Sequence, residues 1–168
     1  MLFSISRPIK LFCVGLLTLA TASCSAPAPT AYQKQVAIPA AAWDYAFQPQ
    51  FTFDISDTAA QYRVFLIFRY DAGYEFSNIW VRPHMQKPGD STFTAGKRLE
   101  TALIAHDGSR LGNKMGGIYE YKIQLAPEDF EAFDRPGRYV VKLEQIMRKN
   151  PLVGLVNIGL RIERYDVK

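Results

Sequence analysis

Apolar residues recur at every second position in one segment after another between residues 50 and 164. In the first of these segments Phe51, Phe53 and Ile55 alternate with Thr52 and Asp54, which is the pattern of a strand that buries one face. The segments predicted as strands on this ground are 51–55, 62–70, 78–85, 99–105, 119–125, 138–144 and 156–164.

Turn signals separate these segments, and no long segment with the 3.6-residue period of a helix lies between them. The strongest short-range hairpin signal is Asp107-Gly108. The pattern therefore predicts an all-β protein, a single antiparallel β-sandwich, jelly-roll-like, with seven or eight strands. The core residues predicted from the later strands are Ile123, Tyr139, Val141, Leu143, Ile158 and Leu160.

The segment 62–70 has apolar residues on both faces at its centre, which predicts a central strand. Residues 32–48 show no clear period and are predicted to be an irregular lead-in whose Trp43 packs on the domain. Residues 109–117 hold three glycines and are predicted to form a loop. A single helical turn is expected to begin at Pro127 and end near Phe133.

The N-terminus has the pattern of a lipoprotein signal peptide. Arg7 and Lys10 precede an apolar run at 11–20, about half the roughly 20 residues that a membrane-spanning helix needs, and small residues lead to Cys24. We therefore expect a signal peptide at 1–23, a lipidated Cys24 with a flexible tether at 24–31, and the β-sandwich domain at 32–168. An ordinary secretory signal is the alternative.

Charge and cysteine content exclude several classes of protein. Loss of Arg7 and Lys10 with the signal lowers the formal net charge from +4 to about +2, too balanced for a nucleic-acid-binding protein. With Cys13 removed and Cys24 acylated, no thiol remains for a disulfide, a metal or a nucleophile. The two histidines, His84 and His106, fit no metal-binding pattern. We expect no metal, no cofactor and no enzymatic activity.

Aromatic residues make up 13% of the sequence and leave one binding function open. A set of them is placed where it could form a stacking platform for sugars on a sandwich face: Trp43, Tyr45, Tyr70, Tyr74 and Trp80. Phe and Tyr are also favoured in strands for packing reasons. A membrane-anchored carbohydrate-binding module is therefore the alternative function, and it requires exposed, coplanar aromatic rings.

Several short signatures recur in one order and resemble the GldH gliding-motility lipoproteins over residues 32–164. They are YEFSNI at 74–79, DGSRLG at 107–112 with GGIYE at 116–120, PGRY at 136–139 with EQIMR at 144–148, and LVG at 152–154 with VNIGLRIE at 156–163. The resemblance implies an outer-membrane lipoprotein of the Bacteroidetes type. Its expected partners are other gliding-motility lipoproteins or proteins of a linked secretion apparatus, and no catalytic residues are implied.

The loop at 109–117 is the predicted contact surface for such partners. Arg110 is its expected anchor, because arginine offers a planar fork of five donors, and Asn78 and Arg148 are its possible neighbours. The alternative for Arg110 is an internal pair with a strand carboxylate. Residues 25–30 carry no acidic cluster of the kind that directs similar lipoproteins to the cell surface, so the domain is expected on the periplasmic face.

Overall fold

The computed structural model describes residues 30–165, and nearly all its regular structure is β-strand. The predicted signal peptide and Cys24 lie outside the described residues. Two short 3-10 helices occur within this range, Pro39–Ala41 and Pro127–Asp129. The strands are β1 (Thr30–Ala37), β2 (Ala42–Trp43), β3 (Gln50–Ile55), β4 (Gln61–Tyr70), β5 (Asn78–Gln86), β6 (Thr94–Ala95), β7 (Leu99–Ala102), β8 (Asn113–Met115), β9 (Ile118–Gln124), β10 (Gly137–Gln145), β11 (Leu152–Val153) and β12 (Leu155–Tyr165).

The strands form two larger antiparallel sheets and one small one. The first sheet has the order β1-β12-β4-β9-β8, and the second has the order β3-β10-β5-β6, with β7 also paired to β5. The third consists of β2 and β11. The predicted all-β antiparallel sandwich is confirmed, and β4 is the central strand of the first sheet, as its two apolar faces indicate.

The count of seven or eight strands is too low, because the described residues contain twelve. Four of the twelve, β2, β6, β8 and β11, have only two or three residues, which is too short for an alternating pattern to be visible. The predicted loop at 109–117 accordingly contains β8. The predicted turn after Pro127 is confirmed but is shorter, since the 3-10 helix ends at Asp129.

The prediction of an irregular lead-in at 32–48 is wrong for its first part, which forms β1. Tyr32 and Val36 pack against the core, whereas Lys34, on the same face by alternation, is exposed and donates to the Gln50 carbonyl. An edge strand tolerates this lysine because its ammonium group reaches solvent there. Trp43 is fully buried, as predicted.

The core lies between the two larger sheets. Tyr139, Val141, Leu143, Ile158 and Leu160 are buried, which confirms five of the six predicted core residues, whereas Ile123 is half-buried. Ile123 belongs to β9, whose outer neighbour β8 has only three residues. The inner side chains of β9 therefore lie at the rim of the core.

The register defines two ends of the sandwich. Glu163 of β12 pairs with Thr30 of β1 on one side and with Arg63 of β4 on the other. We call this end of the sandwich proximal, because the described chain begins there. Its connections are residues 56–60, 87–93 and 125–136. The distal end contains residues 38–49, 71–77, 103–117 and 146–154, since Leu155 and Tyr119 both pair with Tyr70 there. The ten residues of β4 separate the two ends by about 33 Å.

Candidate functional site

Three large apolar side chains are exposed at the distal end. Tyr45 is 41% exposed, Met115 is 56% exposed and Val153 is 45% exposed, and in residues 30–165 every other large hydrophobic side chain is buried or half-buried. Single exposed apolar residues are ordinary on a protein surface. Their restriction to one end of the sandwich makes that end the candidate site for a protein contact.

Buried tyrosine and tryptophan side chains hold the distal connections in place. The hydroxyl oxygen of Tyr70 lies 2.5 Å from the Leu103 carbonyl oxygen and 2.6 Å from the Leu111 carbonyl oxygen, so these two acceptors share its one proton. The indole Nε1 of Trp43 donates to the Phe47 carbonyl oxygen at 2.8 Å. Each of these aromatic rings is fully buried, so the connections are fixed to the core rather than free in solvent.

Tyr74 extends the same arrangement to the start of β5. Its ring is 1% exposed and stacks edge-to-face on that of Tyr70, and its hydroxyl group donates to the Asn78 carbonyl oxygen at 2.6 Å. Burial, with a smaller contribution from the neighbouring Tyr70, raises the pKa of Tyr74 far above its usual value. The Tyr74 phenol is therefore a neutral donor across the whole physiological range.

Gln145 joins the end of β10 to two further distal segments. Its side chain is buried; the amide nitrogen donates to the Trp43 carbonyl oxygen at 3.3 Å, and the amide oxygen accepts from the Met147 backbone nitrogen at 2.9 Å. A buried amide is stable only when its hydrogen bonds are formed. Gln145 therefore fixes the start of the segment 146–151 relative to β2.

Two glycines permit close backbone contacts that no other residue would allow. Gly154 has φ +87°, and a Cβ placed there would lie 2.3 Å from the Tyr74 backbone nitrogen. Gly112 has φ +96°, and its Cβ would lie 2.3 Å from the Glu120 carbonyl oxygen. Only glycine fits both the positive φ and the approach. Gly154 packs the segment after β11 against the Tyr74 segment, and Gly112 packs the loop at 109–117 against β9.

Arg110 is engaged inside the distal end. Its Nη2 donates to the carbonyl oxygens of Ala72, at 2.8 Å, and Tyr74, at 3.3 Å. The guanidinium carbon lies 5.9 Å from the Tyr70 ring centroid and 5.8 Å from that of Tyr119, within cation-π range. The contacts of Arg110 are thus internal, as in the alternative interpretation of this residue. Its partners, however, are main-chain carbonyl oxygens and aromatic rings rather than a strand carboxylate.

The other two predicted contact residues also lie at the distal end. Asn78 begins β5 and donates to the Glu100 carboxylate on the neighbouring strand β7. Arg148 follows β10 and is exposed. Sequence reasoning named these two and Arg110 as contact residues, which stays a prediction, and named Tyr45 only for a sugar platform. It did not single out Met115 or Val153, because an apolar residue in a short strand or turn gives no signal of its exposure.

The aromatic platform predicted for a carbohydrate-binding module is absent from this end of the described chain. Trp43, Tyr70 and Tyr74 are buried, and Trp80 is half-buried. Their rings fill the core, and the polar atoms of Trp43, Tyr70 and Tyr74 bond to main-chain carbonyls, so these three rings offer no stacking face. Trp43, Tyr70 and Tyr74 therefore cannot serve the platform that the alternative function requires, whereas Tyr45, the remaining member of the set, is exposed.

The two histidines lie in separate places. His84 is on the outer face of β5, with Nε2 2.8 Å from the Glu144 carboxylate. His106 is exposed at a turn where Asp107 accepts hydrogen bonds from the Ser109 hydroxyl and backbone nitrogen, which lower the pKa of Asp107. Within residues 30–165 no group of three or more His, Cys, Asp or Glu side chains could hold a metal ion, and no helix could cross a membrane.

The fold and the distal surface define the class of protein: a single antiparallel β-sandwich with one rigid end that is covered by loops. Residues 30–162 match a family model described as GldH lipoprotein, so the chain belongs to the GldH lipoprotein family. It is 30% identical over 124 residues to the gliding motility lipoprotein GldH of Flavobacterium johnsoniae, a match that covers 68% of this chain and 74% of that protein.

Further comparisons give one more relative and two solved structures. A GldH homologue of Christiangramia forsetii is 28% identical over 123 residues, covering 69% of this chain and 74% of that protein. A carbohydrate-binding module, CBM28, specific for non-crystalline cellulose, aligns with a TM-score of 0.47 and 12% identity over 81% of this chain and 74% of that one. The Eiger TNF of S. frugiperda aligns with a TM-score of 0.32 and 11% identity over 84% of this chain and 90% of that one.

Proposed function

We propose that the protein is an outer-membrane lipoprotein that acts by protein contacts, without catalysis, in gliding motility or an associated secretion or envelope assembly. The observation that carries this proposal is the family match over residues 30–162, together with relatives that are named gliding motility lipoproteins. Acylated Cys24 anchors the chain, and the domain lies on the periplasmic side. Its partners are other gliding-motility lipoproteins or components of the linked secretion apparatus.

The distal end is the surface that contacts the partner. Cys24 precedes Thr30 by six residues, which span at most about 22 Å, and Thr30 enters at the proximal end. The opposite end therefore extends furthest from the membrane. It presents apolar side chains for a buried interface centre and the exposed cation of Arg148 for its rim, a combination found in protein interfaces.

Arg110 and Asn78 support this surface from beneath it. Arg110 holds the segment that contains Ala72 and Tyr74, and Asn78 holds the start of β5 against Glu100. Rigid support reduces the entropy lost when a partner binds. We expect Arg110→Ala to lower the melting temperature, with the amount of bound partner falling in proportion to folded protein. Partner loss at an unchanged melting temperature would instead make Arg110 a direct contact.

Co-purification from detergent-solubilised outer membranes tests the contact surface. The variant Met115→Asp/Val153→Asp places two charges on exposed positions, so it keeps the wild-type melting temperature and membrane level but loses the partner. Thr52→Asp is the matched control, because Thr52 is exposed on β3, away from the distal connections. Equal recovery of the same partner by all three proteins would refute the distal contact.

The anchor is tested by substitution of the acylated residue. Cys24→Ser is expected to release a soluble or unprocessed protein, and intact-mass analysis of the wild type should show acyl chains on Cys24. Protease treatment of whole cells should leave the domain intact if it faces the periplasm. An unmodified Cys24 in the mature protein would contradict the anchor, and removal of the domain by external protease would contradict its orientation.

A further inference from the structure

A cavity of about 390 Å³ opens at the proximal end, away from the candidate contact surface. It lies between the start of β4, the end of β9 and the segment 126–133. Most of its lining is apolar and includes Tyr62, Leu125, Phe130, Phe133 and Tyr165. Ligand cavities are mostly apolar with a few placed polar groups and measure roughly 300–1,000 Å³, so this one suits a small or single-chain ligand.

One cation in the cavity wall, Arg63, has no carboxylate partner among the described residues, since Glu163, opposite it on β12, pairs with Arg161 at 2.6 Å. Arg63 takes part in no ion pair among the described residues, and its Nε atom is buried without a hydrogen-bond acceptor. Its guanidinium carbon lies 4.6 Å from the Tyr165 ring centroid. Glu131, the other charged residue of the lining, pairs with Lys87 at 3.3 Å. The buried Nε is out of reach of a ligand in the cavity, but the guanidinium charge has no carboxylate partner among the described residues, so an anionic group beside it would be stabilised.

The cavity lies at the end of the sandwich where the chain begins. Thr30, Glu163 and Arg63 stand in one row across β1, β12 and β4, so Thr30 and Arg63 are two strand spacings apart, about 10 Å. With Cys24 only six residues before Thr30, the cavity is near the membrane that the proposed anchor occupies. Amphiphiles in that membrane are therefore the nearest source of a ligand.

We propose that this cavity binds a free long-chain fatty acid, with the acyl chain among the aromatic rings and the carboxylate on Arg63. The apolar lining matches a hydrocarbon chain, and the unpaired guanidinium group matches a carboxylate. The volume suits one chain rather than the two of a phospholipid. Delivery from the membrane rests on the proposed anchor at Cys24, whereas the fit of the ligand rests on the cavity alone.

Photo-crosslinking tests this site in the full-length lipidated protein, reconstituted in phosphatidylcholine vesicles. The probe is palmitic acid that carries a diazirine on its chain, and mass spectrometry maps the modified peptides. Cross-links are expected at residues 58–64 and 124–133. The corresponding diazirine fatty alcohol, which lacks the carboxylate, should label these peptides about tenfold less, as expected for loss of a charge-assisted hydrogen bond.

Three variants separate the site from general partition into the vesicle. Arg63→Gln should lower the labelling of the cavity peptides by about tenfold, since it removes the charge. Ala132→Trp, at an exposed lining position, should lower it by blocking the cavity. Arg138→Gln is the control and leaves the labelling unchanged, because Arg138 lies on β10 in an exposed pair with Asp54. Melting temperatures confirm that each variant is folded.

The outcomes that overturn the proposal are distinct from failure of the anchor. Labelling of the cavity peptides that neither Arg63→Gln nor Ala132→Trp reduces would overturn it, as would labelling spread over the whole domain. Labelling that appears in Cys24→Ser but not in the lipidated protein would mean that the protein's own acyl chain fills the cavity, and this also overturns it. The intact mass of each preparation reports the acylation of Cys24 independently.

Discussion

Buried side-chain hydrogen bonds hold more of the connections at the distal end of the sandwich than at the proximal end. At the distal end, buried neutral groups such as the Tyr70 and Tyr74 hydroxyls bond to main-chain carbonyl oxygens. At the proximal end, the half-buried Lys87 bridges Glu131 and Asp134 beside an open cavity, and one buried hydroxyl, that of Tyr139, bonds to the Arg135 carbonyl oxygen. Buried hydrogen bonds fix one geometry and are insensitive to salt, whereas exposed ion pairs are weak and screened. The connections at the distal end are thus held in one conformation, whereas those at the proximal end can change conformation more easily.

Substitution of glycine should show the largest difference between the ends. Gly154 and Gly89 both have positive φ, but a Cβ at Gly154 meets the Tyr74 backbone, whereas nothing lies within 4 Å of a Cβ at Gly89. Gly154→Ala should destabilise the domain by about 3 kcal/mol or more, and Gly89→Ala by about 1–2 kcal/mol, the cost of positive φ alone. Chemical denaturation measures both, and equal losses would show that the distal packing is not tight.

Alkaline pH should weaken the distal end through Tyr74. The pKa of Tyr74 is raised in the folded state, so its contribution is complete below pH 10, the unfolded value, and is lost as the pH rises above it. Between pH 8 and pH 10.5 the loss is about 0.8 kcal/mol from this group. Urea denaturation of Tyr74→Phe should show a decline smaller by this amount, and an unchanged decline would contradict the assignment.

Salt should affect mainly the proximal end. Burial lowers the pKa of Lys87, but hydrogen bonds to Asp134 and Glu131 outweigh it, so the pKa lies above its usual value. Lys87→Met should cost less than about 1 kcal/mol, and 1 M NaCl should remove most of that cost. Hydrogen exchange in 1 M NaCl should rise at residues 128–136 and not at the distal residues 103–111, which take part in no ion pair among the described residues. An equal increase in the exchange rates of the two segments would show that the two ends do not differ in this way.

The long strands were predictable because a sandwich buries one face of each of them. Apolar residues alternate with polar ones around Val141 and Ile158 because only one face of each strand is buried. Strands of two or three residues are too short to show this alternation, and the exposed Lys34 interrupts it in β1. Sequence therefore predicts the layers of the fold better than its edges.

Whether the distal aromatic side chains are buried or exposed could not be predicted from the sequence. Trp43 and Tyr74 have an apolar body and a polar tip, so the same residue suits a sugar platform or a core position with one hydrogen bond. The deciding contacts, from Trp43 to Phe47 and from Tyr74 to Asn78, depend on the path of each connection. The grouping of Tyr45, Met115 and Val153 depends on strand register, which no local pattern contains.

Site-specific photo-crosslinking in living cells tests the central claim, that the partner binds the distal end. A photoreactive amino acid would replace Met115 or Val153 at the distal end and, in separate strains, Asp90 or Asp129 at the proximal end. If the partner binds the distal end, the distal positions give a discrete adduct with one envelope protein and the proximal positions do not. The same adduct from the proximal positions alone would contradict it.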